Sequence, residues 1–250
     1  MRTAYADGRG AYPAVVLFPP RPPIDAAARE WVEDSLHLLA SEFGRDAFRR
    51  PTVEPTDAFF PEPYAANIEG GRMLLAATAD HLDANLKDVR LAVVPARGEF
   101  WLVDDRDYEQ TPSAPRSDPH EVVLAVELDD LSEPDRLVGL FARELCGLRL
   151  QEEAGIAADA YDFGPLADLT AVYFGMGLFT AALPVSELLP GERMAPTLPQ
   201  GHLAYALGHR LWHAGDAKPP WLRWLPRPVR AMARSAYRWL QNGGPSEFRA

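Results

Sequence analysis

The sequence predicts an α+β domain with a helix-rich C-terminal half, and three observations carry the prediction. Apolar residues recur at helical spacing over residues 25–43 and again over 137–148. Between these stretches, short strand-like runs at 89–95, 99–103 and 121–127 sit together rather than alternating with helices. After them, residues 165–183 form an almost wholly apolar helical run, as a buried helix would.

Residues 1–23 are a Pro-rich lead with one strand-like run at 14–18. Asp25 is placed to cap a helix ending at Phe43, with Trp31, Val32, Leu36, Leu39 and Phe43 on its apolar face and Gly44 as its stop. Pro51, Pro55, Pro61 and Pro63 exclude helix and central strand from residues 50–64, which reads as an extended connector draped over other elements. A second helix is expected over Glu69–Leu86. Ala96-Arg97-Gly98 reads as a hairpin joining the first two strand-like runs. Ser132-Glu133-Pro134-Asp135 then combines a capping hydroxyl, a first-turn proline and acids near the positive end of a helix. On that helix Leu137, Val138, Phe141, Leu145 and Leu148 share one face, and Arg143, Glu144 and Gly147 lie on the adjoining one.

With 250 residues the chain can bury a substantial core, as one large domain or two small ones. Prolines number 24, about twice the usual share of ~5%, which implies many fixed turns. The net charge of −11 is uneven: residues 218–250 carry seven Lys/Arg against one Glu, leaving −17 on residues 1–217. That acidic body repels phosphate, so nucleic acid is not an expected partner. A single cysteine, Cys146, excludes an internal disulfide and fits a reducing compartment. Residues 14–18 are too short for a signal segment, and no apolar stretch reaches spanning length free of Pro or charge. The expected location is cytoplasmic.

The helix centred on Ala142-Arg143-Glu144-Leu145-Cys146-Gly147 carries the chemical signal. An H-E-x-x-H helix holds zinc because its two His lie one turn apart, and the Glu between them serves as general base. Here Arg143 and Gly147 stand at the two His positions, while Glu144 remains.

Residues from about 24 to 242 resemble a group of uncharacterised bacterial proteins related to gluzincin-type zinc metallopeptidases. The segments Ala40–Arg45, Pro55–Tyr64 and Gly201–Leu207 carry the resemblance, together with Arg143–Gly147, where that group has H-E-L-G-H. Its most specific part is Gly164–Ala181, where the group has E-P-L-T-D-L followed by the same apolar run. The resemblance implies a zincin-like domain over 24–217, with a small sheet packed against the motif helix. It places the third zinc ligand at Gly164. It also makes Asp168 the acid that would orient a ligand His through its second nitrogen. All three ligand positions, Arg143, Gly147 and Gly164, therefore lack a ligand, and no cofactor is expected.

Without a metal-bound water Glu144 has nothing to activate, so it is expected to pair with Arg143 or another donor. Asp168 needs a partner if buried, and Arg143 is the obvious one. Cys146 reads as a buried thiol, and Asp159 and Asp162 as solvated acids. His209 and His213 are one turn apart, with His202 seven residues earlier, so a relocated metal site is the rival reading.

Residues 218–242 read as a Pro-stiffened linker and a basic helix from Val229 to Gln241, with 243–250 as a tail. Arg227, Arg230, Arg234 and Arg238 form one stripe, and Val229, Met232, Ala236, Trp239 and Leu240 fill the opposite side. The apolar side is expected to pack on the body, leaving the arginines solvated or paired with its acidic surface. Such a helix also suits an acidic protein or a membrane surface. The expectation is a non-catalytic pseudo-metallopeptidase that binds or scaffolds another protein. The alternative is a metal-dependent hydrolase using the His202, His209 and His213 group.

Overall fold

The computed structural model describes residues 21–94, 122–183 and 198–248. Within them the chain is α+β and helix-rich, with one two-stranded sheet. The strand-like runs at 14–18 and 99–103 and the hairpin at 96–98 lie outside the described residues.

Helix α1 (Ala26–Phe43) starts where Asp25 Oδ1 accepts the Ala28 N–H at 2.8 Å and ends at Gly44, whose φ is +77°. A single turn, α2 (Arg45–Phe48), follows. Helix α3 (Ile68–Leu82) is capped by the Asn67 side chain, which accepts the Gly70 N–H. It stops four residues short of the expected Leu86, because Asp83 turns left-handed at φ +50° and its N–H closes on the Ala79 and Asp80 carbonyls.

Strand β1 (Val89–Val94) pairs in parallel with β2 (Val122–Glu127), Val89 opposite Val122 and Val94 opposite Glu127. Gly71 on α3 lets the sheet side approach, since a Cβ there would sit about 3.1–3.2 Å from Leu91 and Leu131 methyls. After a 3-10 turn at Leu128–Ser132 comes α4 (Pro134–Glu152). Ser132 does not cap it: the hydroxyl donates to the Asp129 carbonyl at 2.7 Å, closing the preceding turn, and Glu133 occupies the N-cap.

The expected single helix over 165–183 is two, α5 (Phe163–Tyr173) and α6 (Gly177–Ala182). The break is at Gly175, φ +94°, whose carbonyl accepts the Val53 N–H at 3.0 Å. A Cβ at Gly175 would stand 2.6 Å from the Pro51 carbonyl oxygen, so only glycine lets the connector cross there. Residues 51–53, the start of the Pro-rich connector, therefore cross the α5–α6 junction, and residues 55–59 turn rather than stay extended.

Helix α7 (Gln200–Ala214) ends at Gly215, φ +65°. A 3-10 turn at Pro220–Trp224 buries Trp221 and Leu222 and leads into α8 (Arg227–Gln241), which begins two residues earlier than expected. Val229, Ala233, Ala236, Tyr237 and Leu240 of α8 are buried. Gly208 on α7 faces them so closely that a Cβ would lie 2.4 Å from that of Ala236. Helices α4, α5 and α7 contribute the centre of the core, with Phe141, Leu145, Tyr173, Tyr205 and Leu207 fully buried.

A buried carboxylate ties three parts of this core together. Glu33 on α1 accepts the Tyr205 hydroxyl at 2.6 Å and the Glu247 N–H at 2.8 Å, and lies 3.6 Å from His209 Nε2. Burial pushes the carboxyl up, but His209, Tyr205 and the Glu247 N–H outweigh it and hold it at about 2. A free glutamate titrates near ~4.3, so the folded state favours the ionised form and gains stability above that pH. This contribution fades as the pH falls from ~4 towards the folded value of about 2. Glu33→Gln should remove that part of the acid-unfolding curve, read by circular dichroism between those limits. An unchanged curve would contradict the assignment.

Candidate functional site: the Arg143–Asp168 pair between α4 and α5

Helices α4 and α5 pack side by side and bring Arg143 against Asp168. Arg143 Nε stands 3.2 Å from Asp168 Oδ1, with the two side chains 9% and 0% exposed. The other carboxylate oxygen, Oδ2, accepts the Leu198 N–H at 2.9 Å. A charge this deep persists only with a partner, and here a cation and a backbone donor share one carboxylate.

Gly147 lies one turn beyond Arg143 and is buried. The Phe163 ring covers it, with ring carbons 3.4 and 3.5 Å from where a Cβ would be. Gly164 is in the first turn of α5, half-buried. Glu144 is also half-buried, on the flank of α4. Arg143, Gly147 and Gly164 supply no side-chain atom able to ligate zinc, so the residues present do not fit the metal that the resemblance implies. Cys146 is fully buried and burial pushes its thiol far up, which removes the thiolate a nucleophile needs.

The three histidines sit along α7. His209 is fully buried beside Glu33, and its ring stacks near that of His213 at 6.2 Å between centroids. His202 lies two turns away, edge-on to Trp31 at 6.4 Å. Among the described residues no group of three or more His, Cys, Asp or Glu side chains is arranged to hold a metal ion.

On α8, Arg227 and Arg238 are exposed and Arg230 and Arg234 half-buried. The buried side uses Ala233 and Tyr237 in addition to Val229, Ala236 and Leu240, while Met232 and Trp239 are half-buried. Arg29 of α1 stacks over Trp239 at 4.7 Å, and Ser235 donates to the Arg21 carbonyl, so further arginines border the stripe.

Sequence reasoning missed Phe163 as the cover of Gly147 and Leu198 as a donor to Asp168. It also missed Arg210, buried on α7. Arg210 Nη1 donates to the Phe48, Val172 and Tyr173 carbonyls at 2.8, 3.3 and 3.0 Å, and Nη2 donates to the Arg50 carbonyl. The available signal was an arginine between Leu207 and Leu211 on an apolar helix face. No helix among the described residues is long and apolar enough to cross a membrane. Compared with protein-family models, with curated proteins and with solved structures, the chain matches none of them.

Proposed function

We propose that the chain is a non-catalytic binding or scaffolding protein built on a zinc-metallopeptidase-like frame whose metal positions have been replaced. One observation carries the reading: the Arg143 guanidinium is paired with Asp168, the acid expected to orient a ligand His. A guanidinium cannot ligate a metal or generate hydroxide, and its pairing with Asp168 leaves a self-neutralised site. The Phe163 ring over Gly147 fills the neighbouring position.

With that site closed, the contact is assigned to the outer surface, and the arginine stripe of α8 is its leading part. Among the described residues Arg227, Arg230, Arg234 and Arg238 take part in no ion pair, although residues 1–217 carry a net −17. Forked guanidinium groups at one-turn spacing suit an acidic protein surface.

The experiment is a binding and hydrogen-exchange footprint with a partner retained from the protein's own cells. Arg230→Glu, Arg234→Glu and Arg238→Glu together should abolish retention and leave the fold intact. Protection at Arg143, with retention unchanged in the α8 variant, would overturn the assignment.

A further inference from the structure

A cleft of about 470 Å³ opens between the Pro-rich connector and the C-terminal end of α7, away from the Arg143–Asp168 pair. Its size falls in the range of small-molecule sites, roughly 300–1,000 Å³. Phe48, Phe59, Leu211 and Trp221 give it apolar walls, and the exposed Ala214 stands at its rim. Arg210, 6% exposed, is the deepest cation lining it.

Among the described residues Arg210 differs from Arg143, also buried, in having no acid beside it. Four backbone carbonyls accept from its terminal nitrogens, and Nε is buried with no acceptor among the described residues. Burial without a carboxylate pulls the guanidinium down to about 10, still charged at neutral pH. Two of the carbonyls belong to the C-terminal end of α5, whose dipole steadies the cation without cancelling a full charge. Of the acids in the lining, Glu54 accepts the Trp224 indole N–H and lies 3.7 Å from the Arg223 guanidinium, and Asp216, which accepts the Lys218 N–H, is exposed to solvent. Arg50, at the same cleft, is paired with Asp83.

We propose that this cleft binds a small amphipathic carboxylate, its apolar body against Phe59 and Trp221 and its charge directed to Arg210. The apolar walls supply affinity, and the buried cation selects the ionised group over a neutral isostere.

The test is nuclear magnetic resonance titration of the ¹⁵N-labelled full chain with 3-phenylpropionate and, in parallel, 3-phenylpropionamide. Saturable shifts are expected at residues 48–54 and 210–221, including the Trp221 indole. The acid should bind at least about tenfold tighter than the amide, a difference of about 1.4 kcal/mol. Ala214→Trp changes an exposed position and should block the cleft without disturbing the fold, abolishing the shifts. Arg210→Gln should reduce the acid to the affinity of the amide. If that variant does not fold, the acid–amide comparison and Ala214→Trp decide alone. Absence of saturable shifts, equal affinity for acid and amide, persistence in Ala214→Trp, or shifts confined to the α8 arginines would each overturn the proposal.

Discussion

Arg143→Met should destabilise the protein by roughly 3–5 kcal/mol, the usual cost of stranding one member of a buried ion pair. The reason is Asp168, fully buried, which would lose the cation 3.2 Å from its Oδ1 while the Leu198 N–H stays on Oδ2. Arg143→Met combined with Asp168→Leu should recover part of the loss, because two apolar side chains of similar volume leave no uncompensated charge. Denaturant unfolding of the wild type, both single variants and the double variant measures the coupling directly. Additive losses would mean that the two groups stand close without stabilising each other.

Gly208→Val should cost about 3 kcal/mol, at the upper end of overpacking. A Cβ at Gly208 would lie 2.4 Å from the Ala236 Cβ, 3.1 Å from the Ala233 carbonyl oxygen and 3.2 Å from the Tyr237 nitrogen. These atoms belong to helix backbone or to a methyl with no rotamer to change, so α8 must move away from α7. Helix propensity favours a side chain over glycine by up to ~1 kcal/mol, which the clash exceeds. The variant should lower the thermal midpoint and expose the tryptophans of the C-terminal segment to quenching. A midpoint equal to wild type would contradict the tight α7–α8 contact.

Much of the fold was legible where local chemistry decides it. Asp25 and Gly44 mark both ends of α1 because each acts on its own backbone neighbours. The α4 face from Leu137 to Leu145 follows from apolar spacing alone. The division of 165–183 was hidden because Gly175 is required by Pro51, 124 residues away in sequence. Ser132 offered two local outcomes of similar cost, and the turn took its hydroxyl.

The candidate site was legible in part for the same reason. Arg143 and Asp168 announced themselves as charges on apolar helix faces, and the fold brings them to 3.2 Å. Glu33 and Arg210 are comparably buried charges, yet Glu33 is held by His209, a tyrosine hydroxyl and a backbone N–H, and Arg210 by backbone carbonyls, partners that the Asp/Glu and Lys/Arg pattern does not record. The cover over Gly147 depends on how Phe163 enters α5, which spacing does not specify.

The central claim is that the metal positions of the frame are lost, and zinc titration of the untagged protein, followed by dialysis and elemental analysis, tests it most directly. A variant carrying Arg143→His, Gly147→His and Gly164→Glu runs beside it. The account predicts zinc well below one per chain for the wild type and about one per chain for the variant, whose two His and one Glu restore a three-ligand site. A wild-type chain that retains about one zinc, and loses it on His209→Ala or His213→Ala, would contradict the account.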